Sequence, residues 1–295
     1  MADSVISVEY KGRVAIITID NDKKLNALSQ GQYYELGQKL QEVAKHDEVF
    51  VTVLIGKGRY FSAYVLYPLS LMSSLPPILT FTVSLSGADV SIARESPSAD
   101  NPDVHKHWLQ GFVAFNLNIT HAFNNHPKIL VVGLNGPVIG LSAALVSFAD
   151  FIYCTPRTFL LTPFSSLGLV AEGGASRALV QRLGVSKGNE ALIMSKRITA
   201  AELERCGYVN AVFETKPGED ALFREKVLAE VDERLGAHLI GESLTGIKKL
   251  IRRHEVEVTN TQNVHEVFAG LERFMKGVPQ EEFRKIASGE KRHKL

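Results

Sequence analysis

Cysteine is almost absent from the sequence, which has only two in 295 residues. Cys154 and Cys206 are too few for a disulfide framework, and they lack the spacing of metal ligands. We therefore interpret both as small core residues of a protein from a reducing compartment. The nine histidines are scattered, and we expect those such as His126 to lie at the surface or in helix caps rather than to bind a metal. The sequence predicts no metal site.

Net charge is also nearly absent, because 33 basic and 32 acidic residues leave a formal charge of +1. A balanced chain has no overall field to attract nucleic acid or an anionic membrane surface. We therefore predict no nucleic-acid partner, and we expect any anionic ligand to be held by a local site. The N-terminal segment 1–10 has neither the basic nor the apolar region of a secretion signal, so secretion through such a signal is not expected.

Charged side chains are missing from one internal stretch, residues 64–86, although they make up 22% of the whole chain. Prolines at positions 68, 76 and 77 interrupt this stretch, and only 13 of its 23 residues are apolar. A membrane-spanning helix needs about 20 predominantly apolar residues in a row. We therefore predict no membrane span here.

Apolar runs rich in β-branched residues predict strands that are covered on both faces. They occur at 50–55, 128–134 and 151–154, and two alternating runs at 5–10 and 14–19 predict a hairpin before them. Turns and helical patterns separate these strands. The repeated order of strand, turn and helix predicts an α/β fold of stacked units with a largely parallel sheet.

Helical patterns dominate the last third of the chain. Ser29 is predicted to cap an earlier helix that ends near Lys45, and Thr199 with Glu202 forms a capping-box pattern. Amphipathic helices are then predicted at 219–236, 241–253, 258–276 and 280–288. We accordingly divide the chain into a core, residues 1–215, and a C-terminal region of helices and tail, residues 216–295.

Three glycine-marked turns follow predicted strands, and they lie at 86–89, 135–141 and 167–174. Because parallel strands end on the same side of a sheet, these turns are expected to face one ligand site. The backbone N–H groups of Ala88 and Leu141 can then point at one oxygen atom, the second of them from near a helix N-terminus.

Glu172 lies in the third of these turns, between a small apolar residue and two glycines. Close approach of the backbone and loss of water there would raise the pKa of its carboxyl and favour a proton-abstracting base. Together with an oxyanion hole, such a base is the equipment for removing a proton next to a carbonyl group. The structural alternative is an exposed glutamate at the start of a helix, stabilised by the helix dipole.

Motifs of several other chemistries are missing. The sequence has no Gly-x-Gly-x-x-Gly, no Walker loop, no Gly-x-Ser-x-Gly elbow and no His-Glu-x-x-His. The usual evidence for a dinucleotide-binding protein, a nucleoside triphosphatase, an elbow-type serine hydrolase or a zinc protease is therefore lacking.

Several segments, in their order and spacing, resemble the crotonase (enoyl-CoA hydratase/isomerase) superfamily over residues 5 to about 215. They are Lys24–Leu28, Tyr60–Ala63 continued by Gly87–Asp89, Asn135–Leu141, and Pro163–Leu169 with Glu172–Gly174. The resemblance implies a crotonase-type spiral of stacked ββα units with a helical C-terminal trimerisation region, assembled as trimers or hexamers. It also implies an acyl-CoA substrate and no separate cofactor, because CoA is part of the substrate.

The resemblance further assigns roles to particular positions. The thioester oxygen is expected between the N–H groups of Ala88 and Leu141, with Glu172 as the catalytic acid/base. The other positions expected to bind the substrate or its CoA group are Asn26, Ala27, Ser86, Gly87, Asp89, Val90, Asn116 and Gly140.

The reaction expected from the resemblance depends on the acidic residues. Enoyl-CoA hydratases of the superfamily carry glutamates at the positions that hold Ala144 and Phe164 here. The Glu172-Gly-Gly arrangement instead resembles the peroxisomal isomerases that convert 3-enoyl-CoA to 2-enoyl-CoA, in which one glutamate moves a proton from C2 to C4. This isomerase is our prediction. The alternatives are a dienoyl-CoA isomerase, for which an aspartate near Glu172 would be expected, a hydratase of the same fold, and a catalytically impaired scaffold.

The uncharged stretch departs from the family pattern, because family members join Phe-Ser-Ala directly to Gly-Ala-Asp. Removing residues 64–86 restores that motif. Our hypothesis is that the stretch is translated from a retained in-frame intron, and the alternative is a true loop insertion that forms a flap over the site. An insertion this close to Ala88 would disturb the oxyanion donor, and small errors in such geometry are costly in rate.

The sequence closes with His293-Lys294-Leu295, a variant of the Ser-Lys-Leu peroxisomal address. We therefore expect recognition by the peroxisomal import receptor and a location in the peroxisomal matrix. Together with the resemblance, this predicts a role in the oxidation of unsaturated fatty acids.

Overall fold

A computed structural model describes residues 4–63 and 103–291. The predictions about the uncharged stretch 64–86, the glycine turn at 86–89 with the neighbouring Val90, and the tripeptide 293–295 fall outside these ranges. They stay predictions.

Nine strands in the described ranges form two sheets. The strands are β1 Ile6–Lys11, β2 Val14–Ile19, β3 Val51–Gly56, β4 Ile129–Leu134, β5 Val138–Ile139, β6 Phe151–Cys154, β7 Phe159–Leu161, β8 Ile198–Thr199 and β9 Ala211–Val212. The larger sheet has the order β1-β2-β3-β4-β6-β9. Only its β1–β2 pair is antiparallel, which confirms the predicted hairpin and the largely parallel sheet. The smaller sheet has the order β5-β7-β8.

The centre of the larger sheet is covered on both faces. Every residue of β3 and of β4 is buried, as their continuous apolar sequences predict. Successive side chains of a strand point to opposite faces. Leu54 and Leu130 accordingly lie in one apolar cluster, and their neighbours Val53 and Val131 lie in another.

Ten α-helices lie in the described ranges. They are α1 Gln30–Ala44, α2 Val104–Trp108, α3 Phe115–Asn124, α4 Leu141–Leu145, α5 Ala178–Leu183, α6 Val185–Leu192, α7 Ala200–Arg205, α8 Asp220–Leu235, α9 Gly241–Met275 and α10 Val278–Ala287. None of them is both long enough and apolar enough to cross a lipid bilayer.

Helices α1 and α3 cover the face of the sheet that carries Leu54. Helix α1 starts at the predicted cap, where the Ser29 hydroxyl accepts the N–H of Gln32 and the Gln32 side chain accepts the N–H of Ser29. The two helices approach closely at Gly37, because a Cβ there would lie 3.4 Å from Ile119 Cδ1. This packing fixes α3 beside the sheet.

Helix α8 covers the opposite face of the sheet. Its buried residues recur at every fourth position, and they are Phe223, Val227, Val231 and Leu235. All four belong to the apolar cluster of Val53 and Val131. The sheet is therefore enclosed between α1 and α3 on one side and α8 on the other.

Two predictions are wrong. The helices predicted at 241–253 and 258–276 are one continuous helix, α9, because residues 254–257 contain neither glycine nor proline to end it. His126, expected at the surface or in a cap, is only 3% exposed, and its Nε2 lies 2.7 Å from the Thr52 hydroxyl. Burial lowers the pKa of His126 to about 3, so the side chain is a neutral part of the core.

Helices α2 and α3 are joined by a π-helical segment, Leu109–Ala114. A π turn adds a residue to the helical ladder, and such turns are frequent next to functional sites. Here it directly precedes α3, which carries Asn116.

Candidate active site

The second glycine turn ends at the start of α4. Gly140 has φ 65° and ψ −132°, a conformation that suits glycine, and its N–H donates to the Leu161 carbonyl over 2.8 Å. Leu141 is the first residue of α4, so its N–H has no acceptor within the helix. The predicted oxyanion donor therefore lies at a helix N-terminus, where a developing negative charge is stabilised.

A chain of buried hydroxyl groups fixes the first turn of α4. The Tyr33 hydroxyl lies 2.7 Å from Ser142 Oγ, and Ser142 Oγ donates to Ser62 Oγ over 2.9 Å. Ser62 also forms a parallel bridge with Val138. The segment ending at Ala63 is thereby held against the turn that presents Leu141. Sequence reasoning missed Tyr33 and Ser142, whose only signal is a polar group on an otherwise apolar helix face.

Asn26 ties the first resembling segment to the second. The residue has φ 58°, its Nδ2 donates to the carbonyls of Lys57 and Tyr60 over 2.8 and 2.7 Å, and its Oδ1 accepts the N–H of Asn21 over 2.6 Å. All polar groups of this side chain therefore serve the scaffold. Ala27 beside it is 2% exposed. That these two positions bind the substrate or CoA stays a prediction.

The turn after Glu172 packs directly on α4. Gly173 and Gly174 have φ 68° and 75°, which other residues rarely adopt. A Cβ at Gly173 would lie only 2.6 Å from Leu141 Cδ1 and 3.1 Å from Ala144 Cβ. The two glycines therefore bring Glu172 next to the helix that begins at Leu141, as the sequence predicts.

Glu172 is half-buried. Burial raises the pKa of the Glu172 carboxyl to about 7, and the negative charge of Glu266 adds to this increase. A long hydrogen bond of 3.4 Å from Asn116 Nδ2 to Glu172 Oε2 opposes it. The structural alternative of an exposed glutamate at the start of a helix is wrong, since Glu172 is half-buried and lies in the turn segment before α5 rather than at its start.

The side-chain amide of Asn116 has a buried oxygen without a partner among the described residues. The residue is 1% exposed, and the oxygen without a hydrogen-bond partner is its Oδ1. A buried amide oxygen without a partner is costly unless a ligand or water supplies one. Asn116 thus contacts Glu172 through one end of its amide and leaves the other end available in the site.

The two positions that carry glutamates in hydratases are apolar and buried. Ala144 is fully buried, and Phe164 is 2% exposed. Ala144 also lies against the Gly173 turn, so a carboxylate at this position would stand beside Glu172. Within the described ranges, no group of three or more potential metal ligands occurs.

The structure thus brings together the predicted site residues Asn116, Gly140, Leu141 and Glu172. The remaining predicted positions, Ser86, Gly87, Ala88, Asp89 and Val90, lie outside the described residues. Sequence reasoning missed Glu266. Its signal is a glutamate on the buried stripe of α9, together with Thr259, Asn263 and Gly270.

Comparison with known proteins identifies the family. The family model described as Enoyl-CoA hydratase/isomerase matches residues 110–238. A Delta(3,5)-Delta(2,4)-dienoyl-CoA isomerase of Pyricularia oryzae is 62% identical over 300 residues, which cover 99% of this chain and 99% of that protein. A 3,2-trans-enoyl-CoA isomerase of Saccharomyces cerevisiae is 32% identical over 295 residues, which cover 98% of this chain and 96% of that protein.

Solved structures agree at the level of the fold. The crystal structure of an enoyl-CoA hydratase/isomerase from Pseudoalteromonas atlantica is similar with a TM-score of 0.77 at 20% identity, over 99% of this chain and 100% of that one. The two-sheet α/β fold, with a half-buried glutamate on the turn that packs against α4, is that of the enzymes of this architecture. The chain belongs to the enoyl-CoA hydratase/isomerase family of the crotonase superfamily. The predicted superfamily, its fold and its enzymatic character are confirmed.

Proposed function

We propose that this chain is an enoyl-CoA isomerase that moves double bonds along an unsaturated acyl-CoA thioester, with Glu172 as its acid/base. One observation carries the proposal. The Glu172 carboxyl, with its pKa raised to about 7, lies on a turn packed against the helix that begins at Leu141. A carboxyl with this pKa can take up a proton at neutral pH and also return it.

The proposed transfer conserves all atoms. Glu172 removes a proton from C2, next to the thioester carbonyl, and the electron pair of the broken C–H bond moves onto the carbonyl oxygen. The Leu141 N–H, with the predicted Ala88 N–H as its partner, stabilises that oxygen in the enolate. The same proton then returns to a carbon farther along the chain, which leaves the new double bond conjugated with the carbonyl.

The substrate that we propose is a 3,5-dienoyl-CoA, which becomes a 2,4-dienoyl-CoA when the proton returns to C6. The 62% identical relative carries the name of this activity over almost the whole length of both proteins. The choice takes up an alternative of the sequence analysis in place of its main prediction. The sequence argument against it was the lack of an aspartate near Glu172, and in the described part of the chain the carboxylate whose charge acts on Glu172 is that of Glu266, on α9.

A 3-enoyl-CoA is the second candidate substrate, and the 32% identical yeast relative is named for that activity. The observation that favours it is the engagement of Glu266, whose two oxygens accept backbone N–H groups of Gly174 and Ser176. Of these two neighbouring carboxylates, only Glu172 is then free to move a proton. One such group suits transfer over the short distance from C2 to C4.

The test compares purified full-length protein on 3,5-dienoyl-CoA and 3-enoyl-CoA of equal chain length, with Glu172→Gln as the variant. We expect the larger kcat/KM on the diene, and a loss of roughly 10²–10⁴-fold for Glu172→Gln on both substrates. A larger kcat/KM on the monoene would select the second candidate. Equal activity of Glu172→Gln and wild type would refute the assignment of the base, and an inactive wild type would favour the scaffold alternative.

We also propose assembly into a homotrimer or hexamer and a location in the peroxisomal matrix. The support for assembly is an exposed apolar surface on α9 that includes Ile247, Leu250, Ile251, Val258 and Phe268. Contiguous exposed apolar side chains of this kind are typical of interaction surfaces. The support for the compartment is the C-terminal tripeptide His293-Lys294-Leu295.

A further inference from the structure

Glu266 is a buried carboxylate that the proposed proton transfer does not use. It lies on the inner side of α9 and is 5% exposed. Its Oε2 accepts the N–H of Gly174 over 2.7 Å, and its Oε1 accepts the N–H of Ser176 over 2.8 Å. These lengths are typical of hydrogen bonds to a charged acceptor. Both oxygens are therefore directed at the backbone that follows Glu172.

Besides Glu266, close packing on α4 and backbone hydrogen bonds define this segment. Gly173 and Gly174 have no side chains, and both adopt positive φ. Within the turn, the Ala175 N–H donates to the Glu172 carbonyl over 3.2 Å. Consecutive N–H groups in such a turn form a concave site for an anion. In this protein the anion is supplied from α9 by Glu266.

Neighbouring groups support the same arrangement. Gln262, one turn earlier on α9, donates through Nε2 to Ser176 Oγ over 3.0 Å. Farther along, Arg177 pairs with Glu255 of α9 over 2.8 Å rather than with Glu266. In the described part of the chain, no lysine, arginine or histidine pairs with Glu172 or Glu266. Two carboxyl groups thus lie near this turn without a cationic partner among the described residues.

We propose that Glu266 is a positioning residue for Glu172: its carboxylate, bound by the N–H groups of Gly174 and Ser176, fixes the Glu172 turn and places a negative charge behind it. The inference rests on the proposed role of Glu172 as the base. If Glu266 were only a structural anchor, it would hold the turn but its charge would have no effect on Glu172. The charge of Glu266 predicts a separate effect on the pH profile, because a negative charge near a carboxyl favours the protonated form of that carboxyl.

The groups that face the two carboxylates determine the pH dependence. Glu172 faces Asn116 of α3 and lies close enough to Tyr33 of α1 to act on its hydroxyl. Helix α4 presents the uncharged Ala144 to the turn. Burial raises the pKa of Glu266, and the Gly174 and Ser176 N–H groups act in the opposite direction by favouring its charged form. Glu266 is therefore the charged neighbour whose removal changes Glu172.

The experiment measures kcat and the pH profile of kcat/KM for Glu266→Gln, Glu266→Asp and the control Glu255→Gln. Glutamine cannot accept both N–H groups, so we expect kcat to fall by roughly tenfold to a hundredfold, in line with the effect of small displacements of a reacting group. We expect the acid limb of Glu266→Gln to move toward lower pH, because one like charge is gone. Glu266→Asp keeps the charge but is shorter, so its kcat falls while its acid limb stays near the wild-type position.

Glu255→Gln removes a carboxylate from the same helix that contacts the same segment, and we expect neither value to change. A folded Glu266→Gln variant with the wild-type acid limb would overturn the inference. If Glu266→Gln fails to fold, a Glu266→Asp variant with the wild-type kcat would also overturn the inference. Glu172→Gln, assayed in parallel, separates the two proposals: its activity refutes the base itself, whereas its inactivity with an unaltered Glu266→Gln variant refutes only the positioning role.

Discussion

At Glu172 the burial that suits the carboxyl for proton transfer also destabilises its charged form. The pKa rises from 4.5 to about 7, so the folded state binds this proton more tightly than the unfolded chain does. The stabilisation from the bound proton is fully present below pH 4.5, and it is lost as the pH rises toward 7. At higher pH the ionised carboxylate costs the folded state roughly 3 kcal/mol. The catalytic role that we propose for Glu172 and the stability of the folded state therefore oppose each other at this residue.

The raised pKa of Glu172 predicts a specific pH profile for the wild-type enzyme. Only the ionised carboxylate can accept the proton from C2, so kcat/KM should fall as the pH drops below about 7. Well below that value, the loss should approach about tenfold per pH unit, as for one ionisation. The measurement is the initial rate at low substrate concentration across the pH range in which the protein stays folded. An acid limb near 4.5, the ordinary value for glutamate, would contradict the burial described here.

Individual residues differ in how far the sequence reveals them. The glycines beside Glu172 and Leu141 predict that their two turns face one site, and the structure does bring these turns together, whereas the roles of the two residues stay predictions. Glu266 could not be assigned a role from the sequence, since its partners Gly174 and Ser176 are about 90 positions away along the chain. His126 was misplaced for a related reason: Thr52, on a distant strand, supplies the hydrogen bond that lets it be buried. Contacts of this range follow from the packing of whole elements.

At the scale of elements, α9 connects two parts of the molecule. Near its start, Lys248 donates to the Lys128 carbonyl and pairs with Asp150 over 2.7 Å, beside the sheet. Farther along, Glu266 holds the Glu172 turn. One helix can serve both places only because it is continuous over 35 residues. Two separate helices, as predicted from the sequence, would not fix the distance between the Lys248–Asp150 pair and the Glu172 turn.

The Lys248–Asp150 pair predicts a large effect on stability. The Lys248 side chain is 9% exposed, and Asp150 Oδ2 also accepts the Leu130 N–H over 2.7 Å. Lys248→Met should lower the free energy of unfolding by about 3–5 kcal/mol, because it leaves a carboxylate partly buried without its partner. The neighbouring Lys249 is exposed, so Lys249→Met is a matched control and should change little. Chemical denaturation at pH 7 measures both, and equal effects would show that the pair contributes nothing.

Strands and helices were predictable to different degrees. The sequence of β3 and β4 suffices to predict them, because a short apolar run bounded by turns fits a strand enclosed on both faces. The extent of α9 depends on contacts with residues that are distant in the sequence. Its middle carries charges that suggest a break, but a helix continues through charged residues when one of its faces stays packed against the protein. The buried stripe of Asn263, Val267 and Phe274 provides that packing.

At the scale of the whole molecule, the two sides of α9 have different partners. The inner side meets α3 and the Glu172 turn, as the hydrogen bonds of Asn124 to Val256 and of Glu266 to Gly174 show. The outer side exposes apolar side chains, and Leu250 and Ile251 are each 71% exposed. Large apolar side chains in such numbers favour association with another copy of the chain. The assembly that we propose would therefore cover the helix that positions the base.

This arrangement predicts that assembly and activity depend on the same surface. Changing Leu250 and Ile251 together to glutamate places charges in the proposed contact, so the oligomer should dissociate into monomers, seen by light scattering. Because Glu266 lies on the same helix, kcat should fall together with the oligomer fraction when the protein is diluted. A monomer that kept full kcat would show that the outer face of α9 does not affect the site. The control is Leu222→Glu on α8, an exposed apolar residue away from α9 that should alter neither property.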